Sequence, residues 1–219
     1  MLEADGAQLF RGALAGPAVG EIEQALADLP ANRAGVRLQG RADLARLLNT
    51  DGPIGAAAAS AIGADCAPAR AILFDKTATT NWSLGWHQDR TIVVKERRDV
   101  PGFGPWTVKS GLLNVAPPVG VLEGMVTLRV HLDPVSPANA PLLVARGSHR
   151  IGMVAERDVD LVVERSDVIA CLAEPGDIWV YRTLILHASA ASVEARRRRV
   201  LQIDYAATAL PSGLDFLGV

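Results

Sequence analysis

Apolar residues recur at three- and four-residue intervals through Val19, Ile22, Ala25, Leu26 and Leu29, between Gly16-Pro17 and Pro30, which predicts an amphipathic helix. A second helix is expected from Arg41 to Leu48. Asp51-Gly52-Pro53 then opens an alanine-rich run closing near Gly63. Proline suits a first helical turn and alanine has the highest helix propensity, so a third helix is predicted there. The first third of the chain therefore reads as helical. From Ala69 the texture changes to short β-prone runs cut by glycine and proline: Ala71 to Phe74, Trp86 to Val94, Val108 to Val115, Met125 to Leu132, Leu142 to Ala145, Val168 to Leu172, Ile178 to Leu186, and Val200 to Tyr205. About eight strands with turn residues between them predict a sandwich, jelly roll or barrel behind N-terminal helices. The stretch from Lys95 to Gly124 is the least regular and carries Pro101-Gly102-Phe103-Gly104-Pro105-Trp106 and Pro117-Pro118; it reads either as a lid insertion or as an excursion covering a sheet edge.

Composition narrows the class. At 219 residues, with 49% hydrophobic and 21% charged residues, the chain can bury one substantial core, and a single domain spanning 1–219 is expected, helical over 1–65 and β over 69–206. A net charge of −2 gives no basic field, so a nucleic-acid partner is not expected despite the local run Arg196 to Arg199. Cys66 and Cys171 have neither metal-ligand spacing nor disulfide density, which suits reduced thiols in a cytoplasm. No apolar stretch approaches the roughly 18 residues of a membrane span, and the N-terminus lacks a signal-peptide pattern, so a soluble cytoplasmic protein is expected.

The chemistry concentrates in a few polar positions. Strand alternation puts His87 and Asp89 on one side and Trp86 and Gln88 on the other. His187 follows the apolar run Ile178 to Leu186 and is expected at the end of that strand. Two imidazoles and one carboxylate leave about three positions of an octahedral metal open, an arrangement that points to a non-haem iron(II) oxygenase, although zinc or manganese accepts the same donors. Each histidine could instead be a hydrogen-bonded core residue. Eleven residues beyond His187, alternation places Arg198, Val200 and Gln202 on one face and Arg199, Leu201, Ile203 and Tyr205 on the other. The apolar face would pack on the helices, and the Arg198 guanidinium would face a pocket where it can grip a carboxylate by two parallel hydrogen bonds. Ser189 shares parity with His187 and could add a hydroxyl. Arg196, Arg197 and Arg199 read as a solvated edge. His149, in a Gly-Ser-His turn, is expected to bond backbone; His131 could face either the pocket or the sheet exterior.

In order along the chain, His87-Gln88-Asp89, Gly147-Ser148-His149, Gly176-Asp177, His187-Ala188-Ser189 and Arg198 make a set that resembles the phytanoyl-CoA dioxygenase family of iron(II)- and 2-oxoglutarate-dependent oxygenases, over about Ala69 to Ala206. The resemblance implies a double-stranded β-helix, a cupin-like jelly roll, with His87, Asp89 and His187 holding Fe(II). It also implies 2-oxoglutarate as co-substrate, with Arg198 and Ser189 on its distal carboxylate and Ile72 and Lys76 in further contact, and molecular oxygen as oxidant. The implied reaction is hydroxylation of a small molecule with release of succinate and carbon dioxide; a carboxylate at Asp89 favours hydroxylation over halogenation. This chain departs from the family in having Arg129 where a tryptophan is usual, Asn139-Ala140-Pro141 for Asn-Gly-Pro, and Arg146 before Gly147-Ser148-His149. Arg90, Trp106, Lys109 and Arg129, with Asn114, are candidate substrate contacts, and the cationic ones suit an acidic small molecule. Two other classes share these features: a cupin-like metalloenzyme with no use for 2-oxoglutarate or Arg198, and a ligand-binding relative without catalysis.

Overall fold

Residues 2–31, 33–194 and 196–219 are described in the computed structural model. The N-terminal part contributes helices α1 (Leu2–Asp5), α2 (Gly16–Ala25), α3 (Ala45–Leu48) and α4 (Pro53–Ile62) and strands β1 (Ala7–Phe10) and β2 (Gly35–Leu38). There follow β3 (Ala67–Lys76), β4 (Leu84–His87), β5 (Ile92–Val93), β6 (Trp106–Lys109), β7 (Leu112–Val115), α5 (Val119–Glu123), β8 (Met125–His131) and β9 (Leu142–Ala145). The chain ends with α6 (Val159–Glu164), β10 (Val168–Cys171), β11 (Ile178–Arg182), β12 (His187–Ser189) and β13 (Arg198–Ala206). A six-stranded sheet has the order β1-β11-β8-β13-β3-β2, a four-stranded sheet the order β10-β9-β12-β4, and a three-stranded sheet the order β5-β7-β6. All these pairings are antiparallel. The two larger sheets face each other across a cluster holding Leu142, Val144 and Cys171 from one and Trp179 and Tyr181 from the other, which makes the jelly roll.

Alternation decides what each face of the larger sheet does. Val126, Leu128 and Val130 of β8, Ile178 and Val180 of β11, Ala71 and Leu73 of β3, and Leu201, Ile203 and Tyr205 of β13 all join one core with Leu47, Leu48, Ile54, Ala57 and Ala58 of the helices. Full burial of a residue such as Ile54 stabilises by about 1.5–3 kcal/mol, so this outer face anchors the N-terminal helices. The Tyr205 hydroxyl donates to the Leu48 carbonyl at 2.7 Å, as its burial requires. The opposite parity faces the smaller sheet and is polar: Arg70, Lys76, Thr127, Arg129, His131, Arg198, Gln202 and Asp204.

Several expectations need correction. The first third is not all helical, because β1 and β2 form the two edges of the larger sheet; each is four residues long, too short for alternation to stand out. Trp86 to Val94 is not one strand: β4 ends at His87 and β5 is only Ile92–Val93. Val108 to Val115 is a hairpin, turning at Ser110-Gly111, both with positive φ. The run Ile178 to Leu186 ends its strand at Arg182; a turn over 183–186 then carries His187 across to the smaller sheet, so that it begins β12 rather than ending β11. The stretch from Lys95 to Gly124 supplies the β6–β7 hairpin and α5, packed through Val100, Val115 and Leu122. Cys66 and Cys171 are buried free thiols. Among the described residues no helix is long and apolar enough to cross a membrane.

Candidate functional site

His87 of β4 and His187 of β12 are directly opposite in register, which brings their rings to a centroid distance of 4.2 Å. Asp89, just beyond β4, turns back to the same side, and one donor atom from each of His87, Asp89 and His187 lies within 4.8 Å of the others. The Nδ1 atoms of both rings sit on carbonyl oxygens, His87 on Gly85 at 2.7 Å and His187 on Ile185 at 2.9 Å. A carbonyl only accepts, so Nδ1 is a protonated donor in both rings and Nε2 is the nitrogen left to face a metal. Two backbone contacts thus preset both imidazoles as ligands through Nε2. Gln88 points away, as alternation predicts, and its amide donates to the carbonyls of Leu184 at 2.7 Å and Gly152 at 2.8 Å. The Leu186 N–H donates to Ser148 Oγ at 2.9 Å, so Gln88 and the Gly-Ser-His turn both fix the turn that delivers His187.

Arg70 links the triad to the sheet behind it. Its guanidinium bonds the buried Asp204 carboxylate at 2.6 Å and lies 3.7 Å from Asp89. Burial works against ionisation of Asp89, but Arg70 and then His187 and His87 outweigh it and hold the carboxyl below its usual range. Burial pushes His187 down to about 4 against the pull of Asp89, so the ring is neutral and its lone pair free at neutral pH. Sequence reading missed Arg70, although it shares strand parity with Ile72 and Lys76, the signal that could have found it. It also missed Tyr181, whose ring packs 5.5 Å from that of His187.

The other end of the inner face is cationic. Arg198 is 2% exposed; its Nη1 donates to the Asn139 and Ala140 carbonyls, and its Nε has no hydrogen-bond partner among the described residues. Lys76, opposite Arg198 in register, donates to Ser189 Oγ at 3.2 Å and the Ala190 carbonyl at 2.6 Å. Burial, then Arg198 and Arg129, pulls the Lys76 ammonium down to about 8. Arg129 donates to Gln202 Oε1 at 2.9 Å. The neighbouring arginines behave as a paired surface edge: Arg197 binds Asp75 at 2.7 Å, and Arg199 binds Asp133 at 2.8 Å and Glu23 at 2.7 Å. His149 donates Nε2 to the Glu3 carbonyl at 3.2 Å, the backbone role expected of it. His131 is buried on the inner face with neither ring nitrogen bonded among the described residues, and burial, then Arg129 and Arg198, pushes it down to about 3.

One cavity of about 720 Å³ joins these parts, running from the triad past Ile72, Arg129 and Gln202 to Ser189 and Arg198. Of the candidate substrate contacts, Arg90, Lys109, Arg129 and Asn114 line it. Trp106 does not: it packs in the cluster with Val100 and Val115, its ring 5.5 Å from the Arg97 guanidinium. The aromatic wall is built instead by Phe74 of β3, Trp86 of β4 and Trp82 of the segment between those strands, rather than by the hairpin. Lys76 stands behind Ser189 and does not reach the wall.

The family model described as Phytanoyl-CoA dioxygenase (PhyH) matches residues 2–200. Similar solved structures include AviO1 from Streptomyces viridochromogenes Tue57, at 20% identity and TM-score 0.67, covering 96% of this chain and 93% of that one. EctD from S. alaskensis in its apoform is 18% identical with TM-score 0.69, covering 100% of this chain and 78% of its own. The non-heme alpha ketoglutarate dependent epimerase SnoN from nogalamycin biosynthesis is 16% identical with TM-score 0.67, covering 99% and 85%. A comparison with curated proteins finds no match. At these identities the structures establish the shared fold, while the family model spans nearly the whole length; the chain belongs to the phytanoyl-CoA dioxygenase family.

Proposed function

We propose that the protein is an iron(II)- and 2-oxoglutarate-dependent oxygenase that hydroxylates a small molecule. The observation that carries this reading is the pairing of an intact His87–Asp89–His187 donor set with a buried Arg198 that meets no carboxylate among the described residues, in one cavity. Donor chemistry fits the metal: two imidazoles with Nδ1 committed to backbone carbonyls and one ionised carboxylate suit a divalent ion with open positions. The cationic end fits a dicarboxylate whose far end needs a counter-ion. SnoN, of the same fold, has been crystallised in complex with Fe3+ and alpha ketoglutarate.

When bound, iron(II) and 2-oxoglutarate supply the oxidising power, the 2-oxo acid giving succinate and carbon dioxide as one oxygen atom passes to the substrate. The chain's task is to hold and shield. His87 and His187 present Nε2 because their Nδ1 protons are spent on backbone carbonyls. Arg70 keeps Asp89 ionised and fixes its direction. Arg198 and Ser189 would hold the distal carboxylate, with the Lys76 ammonium behind Ser189 adding positive charge there. Tyr181, Trp179, Ile185 and Val144 close the rear of the centre with apolar surface that keeps water out. Arg90, Lys109 and Asn114, with Trp82 and Trp86, are left to contact the substrate.

The test is succinate formation from 2-oxoglutarate by protein loaded anaerobically with iron(II) and then exposed to oxygen. Wild type turns over, and His187→Ala and Arg198→Ala do not. An Arg198→Ala variant as active as wild type would replace this reading with a cupin-like activity independent of 2-oxoglutarate. A product one oxygen atom heavier than its substrate separates hydroxylation from an epimerisation of the kind named for SnoN.

A further inference from the structure

The inner face of the larger sheet buries more positive charge than one residue's counter-ion role accounts for. Lys76, Arg129 and Arg198 are 1%, 5% and 2% exposed. Nearby acids are committed elsewhere, Asp75 to Arg197, Asp133 to Arg199 and Asp204 to Arg70. Among the described residues the direct contacts of Arg129 are to neutral groups, Gln202 Oε1 at 2.9 Å and the Phe74 ring 5.6 Å from its guanidinium carbon, and its Nε has no hydrogen-bond partner. The Asp89 carboxylate acts on Arg129 only as one of several cations around it and already faces Arg70 at 3.7 Å, so a guanidinium whose direct contacts are neutral is completed by a further anion.

Register locates that anion. Tyr181, Thr127 and Asp204 are aligned across β11, β8 and β13, and this row underlies the triad: the Tyr181 ring lies 5.5 Å from that of His187, and Asp204 shares Arg70 with Asp89. The next inward row is Trp179, Arg129, Gln202 and Ile72. Arg198 and Lys76 lie two rows further along β13 and β3. A dicarboxylate stretched from the triad to Arg198 therefore passes Arg129, whose guanidinium leans over Phe74, toward the Arg198 end. His131, between the two arginines along β8 and β13, adds no charge, since burial keeps it neutral.

We propose that Arg129 is a second guanidinium of the co-substrate clamp, gripping together with Arg198 the carboxylate distal to the triad. This rests on the reading of 2-oxoglutarate as co-substrate. It makes Arg129 a specificity residue: it discriminates for a dianionic 2-oxo acid over one with an uncharged tail.

The experiment is calorimetric titration of 2-oxoglutarate and, separately, of 2-oxopentanoate, which has the same chain length without the distal carboxylate, into the full chain loaded with redox-inert manganese(II). Wild type, Arg129→Met and Arg129→Lys are compared, with melting temperatures of the ligand-free proteins. One charge-assisted contact is worth roughly a twentyfold change in affinity. Arg129→Met is expected to weaken 2-oxoglutarate by about that factor, leave 2-oxopentanoate within about twofold, and melt no lower than wild type; Arg129→Lys recovers part of the loss. Equal weakening of both ligands, with a lower melting temperature, would overturn the proposal in favour of a purely structural Arg129. So would unchanged 2-oxoglutarate binding in Arg129→Met. Failure of wild type itself to bind 2-oxoglutarate overturns the co-substrate reading, and this one with it.

Discussion

Replacing Arg198 by leucine separates a co-substrate anchor from a structural arginine. Its Nη1 is spent on the carbonyls of Asn139 and Ala140, which leaves the Nε edge for a carboxylate. A hydrogen bond to a charged group contributes about 1.5–3 kcal/mol, and the site is nearly closed to solvent, so two parallel bonds less the cost of desolvating the ligand come to about 3–4 kcal/mol. At about 1.4 kcal/mol per tenfold, Arg198→Leu should bind 2-oxoglutarate some hundred- to thousandfold more weakly. A melting assay shows the same thing. Ligand at about 100 times its Kd stabilises wild type by about 2.7 kcal/mol, or roughly 5–10 °C for a domain of this size, and the same concentration should shift the variant by less than about 1 °C. Manganese(II) affinity should be unchanged, because Arg198 sits at the opposite end of the cavity from the triad. A variant that binds 2-oxoglutarate within threefold of wild type, or loses metal in parallel, would refute the reasoning.

Four further outcomes are expected. His187→Ala removes one of the three donors, and titration with manganese(II) should show loss of tight binding while circular dichroism stays native. Lys76 lies near 8 when the site is empty and rises when an anion arrives; below pH 8 binding needs no proton, while above it a proton must be taken up, so 2-oxoglutarate affinity should fall by up to about tenfold per pH unit, a slope that Lys76→Met abolishes between pH 8 and 9.5. Gly176 has φ +89° and a Cβ there would meet the Leu14 carbonyl oxygen at 2.5 Å, so Gly176→Ala should cost about 2–4 kcal/mol in urea unfolding; a loss under about 0.5 kcal/mol would mean the turn can relax. Ala140 holds a left-handed φ of 48°, so Ala140→Gly should stabilise by about 0.5–1 kcal/mol and raise the melting temperature, with a decrease counting against strain at that turn.

What the sequence determined by itself was local. Strand alternation sorted Arg198 and Gln202 from Leu201, Ile203 and Tyr205 and put the apolar set on the helices, because a period of two survives any packing. The Pro53 start predicted α4 to within a residue of its observed end. His87 and Asp89 converge because two residues span one repeat of an extended chain, and the ordered motifs carried the family. Long-range register belonged to the tertiary structure. An apolar run from Ile178 to Leu186 looks like one strand, since the buried turn at 183–186 is as apolar as the strand before it, and only pairing of β12 with β4 and β9 places His187 against His87. The same holds for Arg70, whose role exists only because β3 and β13 set it beside Asp204 and below Asp89. Trp106 and Trp82 are indistinguishable as aromatic residues near a turn, and it was the folding of the hairpin onto Val100 and Leu122 that took one away from the cavity and left the other on its wall. Alternation reports which side of a strand a residue occupies; which strand lies opposite is fixed by the sum of many weak contacts, and those are made only when the sheets close.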